Sequence, residues 1–220
     1  ASTTPLTCLP QTPVEKRGAW WSSDSKRIYY LMRDRYSKAL ALNEVNPVTG
    51  AITRVVRETS DSWTQANANN IFDFPLVRTL RNGDVLWYSQ RDGWGHLYYY
   101  DRRGMLRNRI TKGDWAVRDV IRVDEETKTV YFTASGREQG ADPYEQQLYR
   151  VQFDGSGLRL LTPEAADHGR SRALPKPASS DLQLADGEQD PFSPSGRYFV
   201  DTFSRPDLPP IMVLRASDGR

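Results

Sequence analysis

The sequence predicts an all-β chain built from four-stranded antiparallel sheets of the β-propeller type. A polar turn containing glycine follows an aromatic or apolar strand four times, and the turn residues Gly50, Gly104, Gly157 and Gly219 lie 54, 53 and 62 residues apart. Self-similarity at a fixed period indicates a repeat architecture. Aromatic residues make up 11% of the chain and apolar residues only 38%, a balance that favours thin, half-buried sheets.

Each repeat contains short β-prone runs separated by turns rich in Ser, Asp, Pro and Gly. The Asn82-Gly83 pair between two apolar runs is a strong hairpin signal, because both residues tolerate positive φ. The predicted strands cover residues 19–21, 28–32, 39–45 and 52–56; 72–77, 85–89, 96–100 and 106–111; 117–123, 130–134, 147–151 and 158–162; and finally 198–202 and 211–214.

These strands define the predicted organisation of the chain. Residues 1–18 form an N-terminal extension or linker, and residues 19–220 form a partial propeller with blades over 19–60, 71–112, 115–162 and 187–220. The last blade stops one strand short, so about three and a half blades are present. Because a closed propeller pairs its last blade to avoid an open edge, either the strand over 19–21 closes the ring or blades are missing upstream, and we expect the missing blades.

Three polar segments are predicted to be loops. Residues 163–190 and 64–70 contain few side chains suited to a core, so both are expected to be long surface loops. Residues 206–210 carry three prolines and are expected to form a third loop.

Composition excludes several classes of protein. Thirty basic and 28 acidic residues are interspersed along the chain, so no concentrated basic face for nucleic acid is expected. The densest basic stretch, Arg33, Arg35 and Lys38, is interpreted as a solvated edge or loop. Cys8 is the single cysteine, which excludes an intramolecular disulfide. No apolar run of about 18 residues suggests a membrane span.

The start of the chain carries no targeting signal. Residues 1–10 lack both the charged start and the apolar run of a signal peptide. We therefore expect that the chain starts after processing or is part of something longer.

No serine in the chain fits the nucleophile motif of serine hydrolases. That chemistry commonly uses Gly-x-Ser-x-Gly together with a histidine base and an acid. Ser156 comes closest, but Asp154 stands where the first glycine should be. Ser135 and Ser195 have the same turn character and also fail. We therefore predict no catalytic residue in this chain.

The remaining polar residues are equally weak candidates for catalysis or metal binding. His96 is expected to begin a strand and His168 to lie in a polar loop, so structural or surface roles are predicted for both. With one cysteine, they make a zinc site improbable, and no metal or cofactor is predicted. The acidic run 124–126 is interpreted as a solvated hairpin turn. Residues 23–26 match the Ser-x-x-Lys sequence pattern. That chemistry needs a helix to bring the lysine to the serine, whereas a turn is expected here.

Trp94 is flanked by Gly93 and Gly95 at a predicted loop tip. Its ring could stack on a ligand or pack over the neighbouring blade, and the sequence leaves both interpretations open.

The run Ser89–Asp101 (SQRDGWGHLYYYD) resembles a blade signature of the N-terminal β-propeller in the dipeptidyl peptidase IV family of prolyl-oligopeptidase-type serine peptidases. Further matches follow in the same order along the chain. They are ITKGDW at 110–115, VYFTA at 130–134, QLYRV at 147–151, FSPSGRYFVD at 192–201 and SRP at 204–206.

The resemblance implies a noncatalytic propeller region of a larger peptidase. In that family an eight-bladed propeller covers an α/β-hydrolase domain, limits access to short or N-terminal peptide segments and helps to hold the substrate's free amino group. The implied partners are therefore peptide substrates and a hydrolase domain of the same polypeptide, which carries the catalytic serine, histidine and aspartate. Periplasmic or secreted localisation is implied, and the open sheet edges also allow a homodimer.

The chain departs from the family pattern in two places. The family's paired glutamates for the substrate amine lie upstream of the matched region, and Glu125-Glu126 does not occupy their place. Residues 64–70 lack the aromatic and basic pattern of the family's pocket loop. Substrate-binding residues therefore stay unassigned.

Two other functions compete with this interpretation. A freestanding scaffold similar to TolB or WD40 propellers would bind proteins, and its Ser-Pro-Asp-Gly turns resemble residues 193–196. A sialidase-like enzyme would need repeated Asp-box turns and an arginine cluster, whereas only Arg33 and Arg35 lie close together.

Overall fold

The computed structural model describes residues 14–68, 75–168 and 190–219. Every regular element in these ranges is a β-strand. The strands are β1 (Val14–Trp21), β2 (Ile28–Arg33), β3 (Ala39–Val45), β4 (Ile52–Thr59), β5 (Arg78–Thr79), β6 (Val85–Ser89), β7 (His96–Tyr100), β8 (Leu106–Arg109), β9 (Ala116–Asp124), β10 (Thr129–Ser135), β11 (Gln147–Gln152), β12 (Arg159–Leu160), β13 (Tyr198–Arg205) and β14 (Leu208–Ala216).

The strands form three four-stranded antiparallel sheets and one two-stranded sheet. Blade 1 has the order β1-β2-β3-β4, blade 2 β5-β6-β7-β8 and blade 3 β12-β11-β10-β9, while blade 4 contains β13 and β14. The predicted all-β fold is confirmed. β1 begins upstream of the predicted blade start at residue 19. Within the described ranges, no helix has the length and apolarity needed to cross a bilayer.

The chain divides into two compact units, residues 1–112 and 113–220. In the first unit, blades 1 and 2 share one core, because each sheet turns apolar side chains toward the other. Its members are Tyr29, Leu31, Leu40, Leu42, Val55, Val56, Ala66, Val77, Val85, Trp87, Tyr98 and Tyr100, with the half-buried Trp20 packed against them. The Trp20 indole also donates a hydrogen bond to Thr79 Oγ1 (2.9 Å), which ties β1 to β5.

In the second unit, blades 3 and 4 pack through a smaller aromatic core. Tyr131 and Phe192 have ring centroids 4.5 Å apart, and Phe192 lies 5.1 Å from Phe199. Leu148 and Leu161 complete this buried cluster. Tilted aromatic pairs at such distances add to the stabilisation that burial of apolar surface supplies.

The repeated glycine turns have a common physical basis. Asn46, Asp101 and Asp154 each accept a hydrogen bond from the backbone N–H two residues further on, at 2.9, 2.9 and 2.8 Å. These side-chain bonds start the turn, and a glycine at positive φ completes it. At Gly104 (φ 76°) a Cβ atom would lie 1.8 Å from the backbone oxygen of Val55, so the turn also packs directly on blade 1.

The prediction of a surface loop over 64–70 is wrong for residues 64–67. Thr64, Ala66 and Asn67 are buried. Both the backbone N–H and the hydroxyl of Thr64 donate to the carbonyl oxygen of Ser37, at 2.7 and 3.0 Å, and Leu76 N–H donates to Ala66 O at 2.8 Å. Small and polar residues can be buried here because the backbone packs closely and its polar groups are paired. Residues 69–70 lie outside the described residues.

The surface loop predicted over 163–190 is wrong at Ala166 and His168, which are buried, whereas Pro163, Ala165 and Asp167 are exposed. Asp167 forms a β-bridge with Ser204 of β13, a partner that lies far away in sequence. Residues 169–189 lie outside the described residues.

Two further element predictions are wrong in detail. The loop predicted over 206–210 is a hairpin turn at residues 206–207, and both Pro209 and Pro210 belong to β14. Between the pairs Phe203–Ile211 and Arg205–Leu208 the register shifts, so the prolines fall where the ladder is already irregular. Of the strand predicted over 72–77, residues 75–77 are not strand and 72–74 lie outside the described residues.

Candidate functional site

The serine candidates stay apart from both histidines. Ser156 lies in the exposed turn between β11 and β12, Ser135 ends β10, and the Ser195 hydroxyl lies 3.2 Å from that of Ser193. In the described part of the chain none of these three serines hydrogen-bonds to a histidine. The structure therefore brings together no serine nucleophile and base.

His96 begins β7, as predicted, and its ring is buried. Its Nδ1 lies 3.0 Å from Thr111 Oγ1, and the same oxygen accepts a hydrogen bond from Leu97 N–H at 3.0 Å. Thr162 accepts from Leu148 N–H at 2.8 Å in the corresponding place of blade 3. The same threonine contact is present in blade 3 without a histidine, so it belongs to the architecture of the blade. This supports a structural role for His96.

His168 belongs to a buried ion-pair network instead of a polar surface loop. Its Nδ1 lies 3.0 Å from Asp201 Oδ2, and its Nε2 lies 3.1 Å from the backbone oxygen of Glu164. Arg215 binds Asp201 through Nε and Glu164 through a terminal nitrogen, both at 2.8 Å. Burial raises the pKa of Glu164, but the Arg215 hydrogen bond, a backbone hydrogen bond and the positive charge of Arg215 together hold that pKa below its ordinary value.

Three residues of this network have the types and spacing of potential metal ligands. Ligand atoms of Glu164, His168 and Asp201 all lie within 4.8 Å of one another. Arg215 already forms ion pairs with Glu164 and Asp201. Its guanidinium group therefore lies beside the carboxylate oxygens that would bind a metal cation. The arrangement therefore fits an ion-pair clamp between residues 164–168 and the β13-β14 hairpin better than a metal centre.

Sequence reasoning missed a repeated Ser-x-Arg-acid motif that follows the second strand of blades 2 and 3, at residues 89–92 and 135–138. In blade 2, Arg91 lies over the Tyr98 ring (4.6 Å), and Tyr98 Oη donates to Asp92 at 2.5 Å. In blade 3, Arg137 lies over Tyr149 at 5.3 Å, and that phenol donates to Glu138 at 3.1 Å. Aligning the repeats against each other could have revealed this motif.

The blade 2 loop is held by a larger charged network. Glu58 of β4 accepts hydrogen bonds from Trp87 Nε1 (2.7 Å), Ser89 Oγ (2.6 Å) and Arg91 (2.6 Å). Asp92 also binds Arg109 at 2.6 Å.

These contacts set the ionisation of the loop. Hydrogen bonds from Tyr98 and Arg109 hold the pKa of Asp92 below its ordinary value. Burial, with the bond to Asp92, raises the pKa of Tyr98. Asp92 therefore stays charged and the Tyr98 phenol stays neutral near pH 7, so the network positions the loop without holding an activated nucleophile.

Trp94 is carried on the same loop and is 45% exposed. A Cβ atom at Gly95 would lie 2.0 Å from the Tyr88 hydroxyl, so glycine is needed for the loop to pack against blade 2. The indole is accessible to a ligand, and its use as a contact stays a prediction.

Three charged segments complete the survey of the sequence candidates. The turn at 124–126 is confirmed, because Asp124 Oδ1 accepts from the N–H groups of Glu126 and Thr127, both at 3.0 Å. Residues 23–26 form a turn, as predicted. The solvated interpretation of Arg33 is wrong: the residue is 7% exposed and lies 5.7 Å from the Trp63 ring. Cys8 lies outside the described residues.

Comparison with known proteins decides the family. The sequence model of the dipeptidyl peptidase IV (DPP IV) N-terminal region matches residues 16–210. The chain belongs to this family. The match covers both structural units and agrees with the blade signature over 89–101. It does not favour the scaffold alternative.

Curated relatives and a solved structure agree with this assignment. Dipeptidyl peptidase 4 of Trichophyton rubrum is 25% identical over 224 residues, which is 100% of this chain and 25% of that protein. Dipeptidyl peptidase 4 of Arthroderma otae is 25% identical over 210 residues, covering 93% and 24%. Dipeptidyl peptidase 4 of Porphyromonas gingivalis superposes on 91% of this chain and 24% of its own, with a TM-score of 0.69 at 17% identity. This chain thus spans about a quarter of its relatives' length.

Proposed function

We propose that this chain is the noncatalytic propeller region of a dipeptidyl-peptidase-IV-like serine exopeptidase. It gates and positions peptide substrates for a hydrolase domain outside this chain, in a periplasmic or extracellular setting. The observation that carries the proposal is the family match over residues 16–210, together with relatives about four times as long.

The site geometry supports a positioning role. Glu58 and Asp92 are bound to arginines, so neither carboxylate is free to bind a substrate ammonium group. Glu138 is likewise bound to Arg137. The loops that carry these groups are instead held in place on their blades, which is the property that a rigid entrance to an active site requires.

Peptidase assays on two polypeptides test the proposal. The native gene product, with whatever follows Arg220, is compared with residues 1–220 on dipeptidyl p-nitroanilides with proline or alanine in the second position. We expect release of nitroaniline by the longer polypeptide and none by residues 1–220. Turnover by residues 1–220 would place the active site within them. A gene product without a hydrolase domain would remove the peptidase function altogether.

A further inference from the structure

A cavity of about 90 Å³ lies between blades 1 and 2, within the first structural unit. Its charged lining comes from Arg27, Glu44, Arg54, Arg102 and Arg103. Four arginines and a single glutamate therefore supply its charge. Clefts lined by charge of one sign concentrate the electrostatic potential and attract ions of the opposite sign.

The one carboxylate of the cavity is already neutralised. Glu44 Oε1 lies 3.0 Å from Arg27 Nε, and its other oxygen accepts a hydrogen bond from the Tyr29 hydroxyl at 3.1 Å. Burial and the nearby Glu44 raise the pKa of Tyr29 to about 12, so the phenol stays a neutral donor at physiological pH. The pair Arg27–Glu44 leaves Arg54, Arg102 and Arg103 to be balanced by something else.

Two acids close to these arginines in sequence are bound to other groups. A hydrogen bond from Met105 N–H and the charges of Arg107 and Arg103 hold the pKa of Asp101 below its ordinary value, so Arg103 is partly balanced. Asp101 forms an ion pair with Arg107 at 2.9 Å. Asp84 accepts hydrogen bonds from the backbone N–H of Arg102 (2.9 Å) and from the Asn82 amide (2.8 Å). In the described part of the chain, no carboxylate forms a salt bridge with Arg54, Arg102 or Arg103.

The fold itself brings these like charges together. Arg102 and Arg103 lie in the turn between β7 and β8, which ends at Gly104. That glycine packs against the backbone oxygen of Val55, the residue next to Arg54. The contact fixes the arginine pair of blade 2 beside the arginine of blade 1, an arrangement that an anion would stabilise.

We propose that this cavity, hereafter the arginine cleft, binds a compact tetrahedral oxyanion of the phosphate or sulfate class, either free or as the terminal group of a phosphate monoester. Guanidinium groups match the oxygen geometry of such anions and bind them through paired hydrogen bonds. Arg54, Arg102 and Arg103 form no salt bridge within the described residues, and such a group of cations suits a dianion better than a single carboxylate. The volume of about 90 Å³ is well above the ~10–15 Å³ that one water molecule requires, so the cavity has room for a group of this size.

Isothermal titration calorimetry at constant ionic strength tests the arginine cleft with four probes: inorganic phosphate, sulfate, phenyl phosphate and acetate. We expect saturable binding of phosphate or sulfate and at least tenfold weaker binding of acetate. Binding of phenyl phosphate alone would identify the ligand as a monoester, whereas binding of the inorganic anions would identify a free ion. Absence of saturable binding by all three tetrahedral anions would overturn the proposal.

Matched variants separate a specific site from general positive charge. We expect R54Q and the double variant R102Q/R103Q to weaken binding at least tenfold, and R102K to weaken it less because the charge remains while the paired hydrogen bonds are lost. The control is R35Q, which removes an exposed arginine outside the cleft. Equal losses in R35Q and R54Q would refute a specific site. These substitutions lie on the surface, and circular dichroism checks that each variant folds. These binding measurements use no peptidase assay, so their outcome does not depend on the peptidase proposal.

Discussion

Blades 2 and 3 use the same short motif, but among the described residues only blade 2 uses it to hold a neighbouring blade. Both loops place an arginine over a tyrosine ring and a carboxylate on the tyrosine hydroxyl. In blade 3 the group closes on itself, since Glu138 binds Arg137 of its own loop and Tyr149 of the next strand. In blade 2, Arg91 reaches Glu58, which lies 33 residues away in blade 1.

The difference shows that local sequence and long-range coupling are separate properties. The Ser-x-Arg-acid motif produces the same local geometry in both places because its partners lie within the same hairpin. Coupling to another blade depends on one distant residue that local patterning does not reveal. Glu58, the contact of Gly104 with Val55 and the Trp20 hydrogen bond to Thr79 bind blade 2 to blade 1 in this way, in addition to their shared core.

Substitution of Gly104 is expected to have the largest effect. G104A should lower the free energy of unfolding by about 2–4 kcal/mol, because alanine is strained at positive φ and its Cβ would collide with Val55 O. G50A is the control: this turn glycine also has positive φ (72°), but nothing lies within 4 Å of the added Cβ. It should cost only about 1 kcal/mol. Urea denaturation measures both, and equal losses would show that the Gly104 contact contributes nothing.

Removal of the carboxylate that couples the blades should rank second. E58A is expected to cost about 2–3 kcal/mol, because it leaves Arg91 and the Trp87 indole without their acceptor in a mostly buried place. E138A removes the corresponding carboxylate of blade 3, whose side chain is 33% exposed, and should cost less than about 1 kcal/mol. The same denaturation experiment compares the two. A larger loss for E138A would reverse the distinction between the blades.

Alkaline pH should lower the stability of blades 2 and 3 alike. At neutral pH this effect is absent, so it ranks last among these predictions. Burial and a neighbouring carboxylate raise the pKa of Tyr98 and of Tyr149 above the ordinary value of about 10. As the pH rises above about 10, these phenols ionise in the unfolded chain but not in the folded one. Stability therefore falls with pH, by up to about 1.4 kcal/mol per pH unit for each phenol.

Urea denaturation between pH 9 and 11 measures this slope. The Y98F and Y149F variants should each make it shallower by a similar amount. If only one of them changes the slope, the two hairpins do not share the same electrostatic environment.

Sequence reasoning succeeded where the signal is local. β7 was predicted with both of its ends correct, His96 and Tyr100, because aromatic residues with turn residues on both sides define a strand within a few positions. It failed at Thr64, Ala66 and His168, which are buried although their own segments are polar. Their burial depends on partners such as Ser37 and Asp201, far away along the chain, and composition carries no signal for such pairs.

By itself, the sequence determined the repeat, most of the strand and turn positions and the family, because alternating side chains and turn residues act over a few neighbouring positions. Only the tertiary structure decided which charges are balanced. Glu58 binds Arg91 and Asp201 binds Arg215, whereas Arg54, Arg102 and Arg103 are brought together with no described carboxylate to bind them. Coulomb interactions depend on distance in space, and residues far apart in the chain reach bonding distance only when the blades pack together.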